Sequence, residues 1–117
     1  MEKVNALLLW PGPEIDVLTV FVEPSPKLWA ADPDADGTIV VLRALDEHEQ
    51  ETGSVAGVEI VGFLDFDRWT ELPDLPVLWK LPDSEPLPLE ALLRRAQAEL
   101  CQRGVLVSGE APLKARG

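Results

Sequence analysis

Basic residues are scarce in this chain of 117: ten Lys and Arg stand against 21 Asp and Glu, a formal net charge of −11. Neutralising a phosphate backbone needs clustered Lys and Arg, so the balance argues against nucleic-acid binding. Cationic partners, metal ions or simple solubility fit it better. Cysteine is nearly absent too. Cys101 stands alone, which excludes an internal disulfide and any cysteine-based zinc cluster. Long apolar runs are missing, and nothing approaches the ~20 residues of a membrane helix. Leu7-Leu8-Leu9-Trp10 is too short for a signal peptide and follows no basic segment. The expectation is a cytoplasmic protein that binds neither membrane nor nucleic acid. A phosphate loop, GxGxxG, HExxH, CxxC and the G-x-S-x-G elbow are likewise absent.

What is present is β-branched residues, prolines and acids. The organising stretch is residues 54–64, SVAGVEIVGFL, a strand-forming run with one charge, Glu59, at its middle. Strands before it are read at residues 4–10, 15–22 and 38–44, with the organising strand itself over 55–63. Both faces of 15–22 are largely apolar, which places it centrally with cover on each side. Residues 23–37 read as a long loop punctuated by Pro24, Pro26 and Pro33, and 46–53 as an acidic hairpin connection. Asp65 is placed as the N-cap of a short helical turn running through Trp69 and Leu72 and stopped by Pro73. Five prolines between Leu72 and Pro88 rule out one regular element there, so that segment reads as an extended strap over the sheet.

The spacing of Leu89, Leu92, Leu93, Ala96, Leu100 and Cys101 predicts an amphipathic helix on which Cys101 is a core residue, opened near Pro88 and closed at Gly104. Residues 105–117 form a tail with a short edge strand expected at 105–107, and residues 1–104 form a single α+β domain. Charge divides earlier, after Glu90. Through Glu90 there are nineteen acids and five bases, and after it two acids and five bases, so the basic end can fold back on its own acidic body or reach an acidic neighbour. The 11 prolines and single Met and Cys match the habits of heat-tolerant proteins, and a GC-rich genome produces the same bias.

Asp16-Val17-Leu18-Thr19-Val20, followed by Gly53-Ser54-Val55-Ala56-Gly57-Val58-Glu59-Ile60, resembles a small bacterial β-meander domain of unknown function. That family reads roughly D-x-L-Y-I and then G-x-V-x-G-I-E-I, and this chain has Thr19 in place of the tyrosine. The resemblance covers about half of the chain. It implies a compact antiparallel meander with a following helical turn, and no activity.

Few residues could carry chemistry. Asp32, Asp34 and Asp36 alternate ahead of Gly37, and the Thr38 carbonyl could complete a wrap around Ca²⁺. Arg43 stands where the wrap needs a bidentate Glu, so the competing reading is a solvated acidic turn with Gly37 at positive φ. His48 lies in an acidic run without an evident nucleophile and reads as a solvated turn. Glu59 reads as a buried or edge charge, with Arg43 on the preceding strand one candidate partner. Trp10 and Trp69 read as core or rim, whereas Trp29 and Trp79, in proline-rich loops, are either core pegs or anchors for a partner.

These readings converge on an α+β protein: an antiparallel sheet of about four strands, a C-terminal amphipathic helix and a proline-rich strap. The leading function is a small binding or assembly module without catalysis, self-associating or docking a protein through Trp29 and Trp79. A calcium-stabilised domain using Asp32, Asp34, Asp36 and Thr38 is the alternative, and a carboxylate-based hydrolase a remote one.

Overall fold

The computed structural model describes residues 2–104 and Leu106. Six strands form one sheet: β1 (Glu2–Leu9), β2 (Val17–Glu23), β3 (Leu28–Pro33), β4 (Ile39–Leu45), β5 (Glu51–Val61) and β6 (Val77–Lys80), followed by α1 (Leu89–Arg103). The spatial order is β3-β4-β5-β2-β1-β6, and only the β1–β6 pair is parallel. The architecture is therefore α+β, as expected, with two more strands than the four read from the sequence.

Both extra strands are edges. Residues 28–31 are apolar in succession, so they carry no period-2 signal, and prolines surround them. They pair with β4 nonetheless, Ala30 opposite Arg43 and Asp32 opposite Val41. Pro33 is tolerated because the Asp34 N–H bonds inward to the Ile39 carbonyl at 2.8 Å. Alternation then turns the Pro33 nitrogen outward, where the ladder needs no donor. The strap also holds a strand. Between Pro76 and Pro82, Val77 and Trp79 turn inward and β6 runs parallel to β1, Val4 beside Trp79. Its outer side is occupied by the chain itself, since Trp79 and Leu87 exchange backbone hydrogen bonds of 2.7 and 2.8 Å.

Two rows across the sheet show how the faces divide. Asp32, Val41, Val58, Val20 and Leu8 share one face; all four apolar members are buried, and Val58, Val20 and Leu8 belong to the core that α1 covers. Leu89, Leu92, Leu93, Ala96 and Leu100 supply the helix side of that core. Gln97 fixes the docking angle, donating from Nε2 to the carbonyls of Phe63 and Phe66 at 2.8 Å each. Cys101 is exposed, one position past the buried Leu100, which corrects its assignment to the core. Asp65 is likewise corrected: it ends a 3-10 turn over Phe63–Asp65 and caps nothing. In the tail, Leu106 is buried in the core and lies outside any strand, and residues 105 and 107 of the expected edge strand lie outside the described residues.

The opposite face has no helix, and the sheet rolls on it. Trp29 of β3 and Phe21 of β2 are three strand spacings apart, roughly 14 Å in a flat sheet. Yet their rings meet edge to face with centroids 6.0 Å apart. Beneath them Val40, Leu42, Ala44 and Ala56 make a second, smaller core. The roll depends on Gly57, which sits between Leu42 and Phe21 beside irregularities in β4 at Leu42, Arg43 and Leu45. A Cβ there would collide with the Val20 carbonyl oxygen and press on the Phe21 Cα at 3.3 Å, both backbone atoms that cannot rotate away. Gly57→Ala is therefore expected to destabilise by about 1–3 kcal/mol or more. Urea unfolding monitored by tryptophan fluorescence measures this, and an unchanged midpoint would refute the close approach.

Candidate functional site

The acidic loop before β4 is built around an arginine. Asp34 and Asp36 flank the turn closed by Gly37, whose φ of 77° is the expected positive value. Their carboxylates accept from the Arg68 guanidinium at 3.1 and 2.8 Å, and Glu71 takes a third contact at 2.6 Å. Asp36 also accepts the Thr38 N–H, and Asp34 the Ile39 N–H, at 3.1 and 3.2 Å. Asp32 is elsewhere, on β3, paired diagonally with Arg43 at 3.3 Å. The three aspartates read as a calcium wrap are thus divided between two arginines, and the Thr38 carbonyl accepts the Val61 N–H at 2.9 Å. Among the described residues, no three Asp, Glu, His or Cys side chains are gathered as a metal site.

His48 is 79% exposed on the β4–β5 turn, where Asp46 Oδ1 holds the N–H groups of His48 and Gln50 at 2.8 and 3.0 Å. Its neighbours are solvated acids, as the competing reading held. The two loop tryptophans part company. Trp79 is completely buried, at 0% exposure, because β6 carries it inward over β1; it is a core peg, and a partner role for it is corrected. Its indole Nε1 has no hydrogen-bond partner among the described residues. Trp29 keeps 43% of its surface exposed at the open sheet edge. Trp10 and Trp69 lie at the core rim, and Trp69 also takes the Arg94 guanidinium over its ring at 4.6 Å.

The uncovered face gathers much of the exposed apolar surface. Ile15 is 64% exposed and Val61 44%, with Trp29 further along on β3, whereas Leu28, one position before it, turns to the other face. Across this face runs the row Pro33, Val40, Glu59, Thr19, Leu9. Glu59 is half-buried, and the proposed partner Arg43 does not reach it. Val40 is the β4 residue opposite Glu59, and Arg43, three positions on, points to the other face. No hydrogen bond or ion pair joins the Glu59 carboxylate to another described residue, its ladder bonds with β4 being backbone only. Around it an apolar groove of about 500 Å³ is walled by Leu9, Trp10, Ile15, Val17 and Phe21.

One wall of that groove is fixed by Asp16. Its Oδ1 accepts the Trp10 indole N–H at 2.8 Å, its Oδ2 accepts the Leu64 N–H at 2.8 Å, and its carbonyl accepts from Gly62 and Phe63. Sequence reasoning found Glu59 as a lone charge in a β-branched run, but the groove joins three separate segments and left no local signal. No family model matches the chain, and no curated protein or solved structure does either.

The Arg68 cluster gives a pH dependence. The Thr38 N–H, and after it Arg68, hold Asp36 well below its ordinary 3.8, at about 2, and Arg68 lowers Glu71 as well. Between those two values the unfolded chain binds the proton that the folded Asp36 refuses. Stabilisation from Asp36 is thus complete above pH 3.8 and is lost as pH falls through about 2. Thermal unfolding from pH 5 to 2 should show a shallower decline in Arg68→Gln than in the unaltered chain. Parallel curves would show that Arg68 does not hold these carboxylates.

Proposed function

We propose that the chain is a small assembly module, without catalytic activity, that pairs with a second copy of itself along the outer edge of β3. The carrying observation is the contrast between the two sheet edges. β6 is occupied on its outer side by Leu87, whereas all six residues of β3 are exposed. The inward bond of Asp34 leaves the N–H and C=O groups of Trp29 and Ala31 directed outward, a short unused ladder. Lys and Glu are absent between Leu28 and Pro33. An antiparallel copy centred on Ala30 sets Trp29 against Ala31 of its mate, a large side chain on a small one, and forms four backbone hydrogen bonds. The net charge of −11 opposes association of two copies, so added salt strengthens it.

Sedimentation velocity over a concentration series, at low and moderate salt, tests this. The expected result is a dimer favoured by salt. Ala31→Pro removes an outward donor and should yield a monomer with little change in melting temperature, while Ala31→Ser keeps the donor and the dimer. A monomer throughout, or undiminished association in Ala31→Pro, would overturn the reading.

A further inference from the structure

We infer that the groove over Glu59 is a binding site for a small organic cation: an ammonium group carried on an apolar, ring-sized body. Three observations carry this, and none depends on the pairing of β3. First, the groove is of ligand size, about 500 Å³, and its walls are Leu, Trp, Ile, Val and Phe side chains. Second, its one charge is Glu59, set between Thr19 and Val40 with no cation paired to it among the described residues. Four arginines are engaged elsewhere: Arg43 with Asp32, Arg68 with three carboxylates, Arg94 with Glu90 and Arg95 with Asp83. Third, the wall is held in advance of binding, because Asp16 ties Trp10 to the backbone at Leu64.

The chemistry then selects the ligand. An anion meets both Glu59 and a net charge of −11. A neutral apolar molecule fills the walls but strips water from a carboxylate and returns nothing to it. A cation with an apolar body satisfies both, forming a charge-assisted hydrogen bond with Glu59 while the body displaces water from the walls. Thr19, buried beside Glu59, narrows the floor so that the head group rather than the body reaches it.

The test uses 2-phenylethylamine and its neutral analogue 2-phenylethanol as probes, titrated into the full chain and followed by the Trp10 indole N–H resonance and by calorimetry. The amine is expected to bind saturably and about tenfold or more tighter than the alcohol. Glu59→Gln should reduce the amine to the level of the alcohol and leave the alcohol unchanged. Equal binding of the two probes to the unaltered chain would overturn the inference without any variant. So would failure of both to bind, shifts confined to residues away from the groove, or an amine affinity indifferent to Glu59→Gln.

Discussion

Everything on the helix-free side of the sheet depends on a backbone-to-backbone approach at Gly57. Because the Val20 carbonyl lies where a side chain would begin, β5 can press against β2, and β4 with β3 can curl after it. The curl brings Trp29 onto Phe21 and encloses Val40, Leu42 and Ala44, which a flat sheet would leave in water. It also shapes the wall that Phe21 lends to the Glu59 groove. A single missing methyl group thus sets the form of both surfaces assigned to binding.

Much of the sheet was legible, and its edges were not. β2, β4 and β5 announce themselves by β-branched runs, β1 by a short apolar run closed by a Pro-Gly turn, and α1 by leucines at three- and four-residue spacing, because each buries a face and burial imposes a period. No residue of β3 is fully buried, so no period marks it, and the prolines around it speak for a loop. β6 is four residues long and pairs parallel with a strand more than seventy positions away. Such a pairing leaves no local trace.

The candidate sites divide in the same way. Alternating aspartates at 32, 34 and 36 look like a cation site because sequence shows spacing and hides partners. Arg68, over thirty residues further on, is the cation that two of them meet. Trp79 read as ambiguous because a tryptophan among prolines has no period, and only the β1–β6 register shows it facing inward. Glu59 stood out as a lone carboxylate, but its isolation from Arg43 follows from strand alternation, and its groove from the loop that brings Trp10 and Ile15 over the sheet.

The bridge between Trp79 and Leu87 has one more consequence. A sheet with two open edges can add copies at both ends and grow without limit, as fibres do. Here one end is stopped by the chain's own return segment, so addition at the other is self-terminating. Two copies joined across β3, as proposed, would exhaust the open edges and give closed twofold symmetry in place of an open-ended filament.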